Sequence, residues 1–109
     1  MKLYRIFLPK FYNDRKPIEA PKIRKITGSL TDKFGGYTLN PLAYLPLMEG
    51  AGTSPKTNKI YTEQVFCIEL FIQDTFDNQK WMQAFSEMVR QELKQEELFV
   101  IVQNAEILT

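Results

Sequence analysis

The chain contains no histidine. That absence removes the Ser–His–Asp and Cys–His nucleophile systems, histidine-based zinc and iron sites, and histidine-ligated haem. There is one cysteine, Cys67. An internal disulfide is therefore impossible, and a lone thiol fits a reducing compartment. Charge of either sign is not in excess: 14 Lys and Arg face 13 Asp and Glu, for a formal charge of +1. Dedicated nucleic-acid and membrane-surface binders carry a clear basic excess or patch, so neither kind of partner is expected. No apolar run is long enough for a membrane span. The first ten residues, broken by Lys2, Arg5 and Lys10, make no signal-peptide core. A cytoplasmic location is expected.

What is present is a 109-residue chain with 44% hydrophobic residues, read as one domain over residues 1–109. A chain of this size buries about 60–70% of its unfolded surface without staples. Carboxylates, lysines, arginines, tyrosines and one thiol remain for chemistry.

The hydrophobic pattern predicts six elements. Residues 3–9 alternate Leu3, Arg5 and Phe7 against Tyr4, Ile6 and Leu8, a strand that is largely apolar on both faces. Pro17 and the polar run before it mark a loop. A helix follows over 21–34: Pro21 suits its first turn, and Ile23, Ile26, Leu30 and Phe34 recur at spacings of three and four. Gly28 weakens it by roughly 1 kcal/mol relative to alanine, and Gly35-Gly36 supplies the stop. Residues 37–47 form a strand broken by Pro41 and Pro46, which belongs at a sheet edge.

A long connection over 48–59 follows, where a tight hairpin would suffice. Loops of that length are more often functional or disordered than idle, and this one is expected to be the most mobile internal segment. Residues 61–73 form the clearest strand, with Phe66, Ile68, Leu70 and Ile72 on one face and a mixed set including Val65, Cys67, Glu69 and Phe71 on the other. Thr75 caps a helix over 76–95 whose stripe is Trp81, Met82, Phe85, Met88, Val89 and Leu93. The last strand, within 97–108, is apolar on both faces around Leu98–Val102.

The order βαββαβ resembles the ferredoxin-like fold. It implies an antiparallel four-stranded sheet, ordered 4-1-3-2, with two helices on one face: an α+β protein. Two-sided apolar strands then leave a sheet face uncovered, carrying Phe7, Val65 and Phe71 with Phe99 or its neighbours. A bare face of that kind promotes association. A homodimer packed sheet against sheet is expected.

Arg5 and Glu69 are the charges of greatest interest. If strands one and three are parallel neighbours, both fall on the mixed face, where burial would demand full hydrogen bonding. The pair then either fixes a dimer interface or anchors a ligand in a cavity between sheets. Should a small molecule bind, Arg5, Glu69 and Tyr61 are the expected ligand-binding residues. Glu63, Glu69 and Glu106 are acid or base candidates by type alone; their bland reading as solvated or paired carboxylates is preferred, and no catalytic residue is assigned. Cys67 reads as a small buried residue. Tyrosines Tyr4, Tyr37, Tyr44 and Tyr61 would line a pocket or pack with wet tips.

The glycine-bearing run at 50–57 lacks the phosphate-loop spacing, and no helix follows it. No metal site or cofactor is expected. RNA recognition motifs share the element order, but their basic, glycine-containing run on strand three is missing here, where Glu63 and Glu69 stand instead.

The stretches Phe34-Gly35-Gly36-Tyr37-Thr38 and Gln95-Glu96-Glu97-Leu98-Phe99-Val100 are similar to those of small uncharacterised prokaryotic proteins of ferredoxin-like, dimeric α+β barrel type. The resemblance implies the fold and a dimer, and brings no catalytic residue with it. Antibiotic-biosynthesis monooxygenases share that architecture, and this chain lacks the histidines that many barrel enzymes use. The leading functional expectation is a homo-oligomeric module binding a small ligand or a protein. The alternative is a cofactor-independent enzyme acting on a small apolar substrate between the sheets.

Overall fold

A computed structural model describes residues 1–45 and 63–108 of the chain. The elements run β1 Lys2–Pro9, α1 Ala20–Phe34, β2 Thr38–Leu45, β3 Glu63–Ile72, α2 Phe76–Glu92 and β4 Phe99–Asn104. The four strands form one sheet in the order β2-β3-β1-β4, with every neighbouring pair antiparallel. This is the ferredoxin-like α+β arrangement, read from the β2 edge. The pairing of β1 with β3 corrects the conditional premise of parallel neighbours: two sequential strand–helix–strand units interleave, and β3 runs opposite to β1 between it and β2.

Local chemistry sets the element ends. Pro21 lies in the first turn of α1, and Gly35 closes the helix at φ 88°, its N–H donating to the Thr31 carbonyl at 2.8 Å. A residue with a Cβ is strained at that φ, so glycine is required there. Thr75 caps α2, its hydroxyl oxygen accepting from the Asn78 N–H at 3.1 Å. The helix stops at Glu92 rather than at 95. Lys94 turns to φ 52°, while the N–H groups of Lys94 and Gln95 bond back to the carbonyls of Gln91 and Arg90. That is the Schellman closure, made here without glycine, which is why composition did not reveal it. At the β2 edge the register with β3 shifts between Asn40 and Ala43, around Pro41. A proline with no donor and an irregular ladder both suit an edge.

Both helices cover the same face. Tyr4, Ile6 and Leu8 from β1 and Ile68, Leu70 and Ile72 from β3 pack with Ile26 and Leu30 of α1 and Met82, Phe85 and Val89 of α2. Trp81 joins the helices, meeting Phe34 edge-on and stacking on Phe85, each at 5.2 Å between ring centres. Burial of these side chains at about 25 cal/mol per Å² is the main force holding the layers together. The period of two in each strand then sends Arg5, Phe7, Cys67 and Glu69 to the opposite face. No helix among the described residues is long and apolar enough to cross a membrane.

Candidate functional site

Register lays the helix-free face out in rows, because residues opposite each other on antiparallel strands share a face. One row reads Thr38, Glu69, Arg5, Ile101 from β2 to β4. The next, toward Pro9, reads Asn40, Cys67, Phe7, Phe99. On the other side lie Phe71, Leu3 and Gln103. Arg5 and Glu69 are therefore adjacent, and Arg5 Nε donates to Glu69 Oε2 at 3.5 Å. Their side chains are 39% and 38% exposed. The pair stands at the surface of the single chain instead of being buried, since no helix lies over it.

Among the described residues no other hydrogen bond reaches either side chain, leaving both Nη atoms of Arg5 and Oε1 of Glu69 open. An exposed pair with one long contact stabilises a fold by about 1 kcal/mol at most. Its value to the fold is small, and its charges are available to something else.

The face is uneven. Toward Pro9, Phe7, Val65 and Cys67 are buried together with Ile101 packed against them. The expectation that Phe7 and Val65 stand bare is corrected: both are buried within the single chain, clustered with Cys67 and Ile101. Toward the other end, Phe71 is 56% exposed. Burial pushes the Cys67 thiol above its ordinary range; the Glu69 charge adds to the rise and Arg5 opposes it. The thiol is thereby a poor nucleophile. The charge pair sits at the border between the sealed and the open half of the face.

A larger hollow lies on the other side of the sheet. A cleft of about 580 Å³ runs between α2 and the β1–β4 edge, floored by Tyr4, Met82, Val100 and Val102. Its volume falls within the range of ligand pockets. Its charged rim, however, is internally satisfied. Lys2 is bonded to Asn104 and lies 3.9 Å from Asp74, which also accepts from Gln79. Arg90 is held by both oxygens of Glu87 and by the Gln95 carbonyl. Burial, with Asp74 nearby, raises the Tyr4 hydroxyl above its usual range and keeps it neutral. The cleft offers shape with little spare hydrogen-bonding capacity, whereas the open face offers a charge pair with spare donors and an acceptor but little enclosure. Spare capacity on a charged pair is the better indication of recognition, since a satisfied rim must be broken before it can bind.

Of the expected ligand-binding residues, the structure brings Arg5 and Glu69 together; Tyr61 and the segment 48–59 lie outside the described residues. Tyr4, weighed from sequence as a pocket tyrosine, does line a cleft, and Lys2, Asp74, Gln83 and Arg90 join it there. Those four escaped sequence reading because β1 and the α2 region, which supply them, are about seventy residues apart in the chain and meet only through tertiary packing. Only the alternation of β1, which sets Lys2 and Tyr4 on one face, gave a signal. Among the described residues no three carboxylate or thiol side chains converge in a way that could hold a metal ion.

No protein-family model matches the sequence, and no curated protein does. The fold is similar to a solved structure, a phage SAM lyase in complex with S-methyl-5'-thioadenosine, at 17% identity and a TM-score of 0.56. The match covers 94% of this chain and 79% of that one. At that identity the likeness is one of fold, a ferredoxin-like α+β protein without a transmembrane helix among its described residues.

Proposed function

We propose that the chain is a homo-oligomeric module that binds a small ligand on the open face of its sheet, between copies. The observation that carries this reading is the adjacent, half-exposed pair Arg5 and Glu69, set between a sealed apolar patch and the exposed Phe71. A few polar groups within apolar walls is the usual composition of a ligand site. A second copy would supply the wall that the single chain lacks. It would also cover Phe71 and Phe99, apolar side chains that a lone chain leaves in water.

The structural neighbour, solved in complex with a nucleoside thioether, supports a small-molecule ligand and makes adenosyl compounds the first to try. The test is thermal shift with SAM, on the wild-type chain and on Arg5→Met/Glu69→Leu. SAM is expected to raise the wild-type Tm by several degrees and to shift the folded double variant much less. Equal shifts for both proteins would place the ligand away from this face.

A second reading is favoured by the same neighbour's being a lyase: a cofactor-independent enzyme acting on a small substrate at this place, with the exposed Glu69 carboxylate facing it. Incubation with SAM and chromatography for S-methyl-5'-thioadenosine distinguishes the two readings. Turnover that Glu69→Gln abolishes selects the enzyme, and binding without turnover selects the module.

A further inference from the structure

We infer that the Arg5–Glu69 pair is a clamp for the zwitterionic head of an α-amino-acid ligand that carries a bulky apolar or aromatic body, an assignment that rests on the open-face reading above. The two charged heads lie side by side, 3.5 Å apart at Nε and Oε2, on neighbouring strands. The contact uses one edge of the guanidinium. Among the described residues the two Nη atoms of Arg5 are open, the edge that receives a carboxylate through two parallel hydrogen bonds. Oε1 of Glu69 is open as well and accepts from an ammonium. An α-amino acid presents a carboxylate and an ammonium on one carbon, the same two charges side by side in the complementary order. An anion alone would leave Glu69 facing like charge, and a cation alone would do the same to Arg5. Of small ions, the zwitterion satisfies both.

The surroundings orient the ligand. The row runs Thr38, Glu69, Arg5, Ile101, so the ammonium lies toward β2 and the carboxylate toward β4. The sealed patch of Phe7 and Cys67 blocks descent of the body on one side. On the other, Phe71 is largely exposed and offers an apolar surface to it. A bare amino acid such as glycine would not use that surface.

The test is calorimetric titration of the full chain with three probes: SAM, its decarboxylated analogue, and S-methyl-5'-thioadenosine, which has neither charge of the amino-acid head. SAM is expected to bind about tenfold or more tighter than either of the others, the worth of a charge-assisted pair of hydrogen bonds. Arg5→Met is expected to remove that preference while the affinity for S-methyl-5'-thioadenosine stays unchanged. Equal affinity for all three probes, or a preference that survives Arg5→Met, overturns the clamp and leaves the open-face reading standing. Absence of binding by all three, with the protein shown folded by circular dichroism, counts against both. Should Arg5→Met fail to fold, Arg5→Lys replaces it: a point charge that loses the two-pronged geometry is expected to retain only part of the preference.

Discussion

Cys67 and Glu69 are two residues apart on the same face of β3, yet the first is sealed beneath Phe7 and Val65 while the second reaches water. That difference gives each a measurable signature. Because burial raises the Cys67 thiol, the native chain is expected to react with iodoacetamide at least about tenfold more slowly than the urea-unfolded chain. Equal rates would mean that the sealed patch is open in solution. The same shift has a consequence for stability. The unfolded chain loses its thiol proton near pH 8.5, earlier than the folded one. Stability is therefore expected to fall as pH rises past that value, and to be insensitive to this group below it. Tyr4, raised for the same reason, acts in the same direction at higher pH. Thermal melts of wild-type and Cys67→Ala proteins between neutral and alkaline pH check the sign: the variant should lose less.

Among the elements, α1 separates two roles of glycine. A Cβ built at Gly28 meets nothing within 4 Å, and the residue is inside the helix, so Gly28→Ala is expected to stabilise the chain by about 0.5–1 kcal/mol. Gly35 also has space but sits at φ 88°, so Gly35→Ala is expected to cost about 1–2 kcal/mol. Thr75→Ala, which removes the α2 cap, should cost about 1 kcal/mol. Urea unfolding of the three variants gives the signs directly. These elements were legible because the determinants are local: a stripe at spacing three and four, a capping threonine, a glycine pair, a proline-bearing edge. Less legible were the end of α2, closed by Lys94 in a conformation that lysine seldom adopts, and β4, which pairs only over Phe99–Asn104. The candidate pair divides the same way. Alternation in β1 and β3 put Arg5 and Glu69 on one face, but their adjacency depends on a register between strands more than sixty residues apart in the chain. Direction and register come from tertiary packing, as does the cleft under α2.

At the scale of the whole molecule, one layer of helices covers one face of the sheet, and Phe71 and Phe99 are left in water on the other. If copies pack through that face, light scattering should give about twice the chain mass of 12.8 kDa for a dimer. Phe71→Lys, which places a charge in the contact, should return the chain to its monomer mass with its circular dichroism unchanged. On the proposed reading the ligand sits on the open face and not in the larger cleft beneath α2. Amide chemical-shift mapping during titration of the full chain with SAM decides this most directly. The largest shifts are expected at Arg5, Phe7, Glu69, Phe71 and Ile101, with Gln79, Gln83 and Ser86 of α2 unmoved. Shifts gathered at those three α2 residues and at Val102, with Glu69 unmoved, would contradict it.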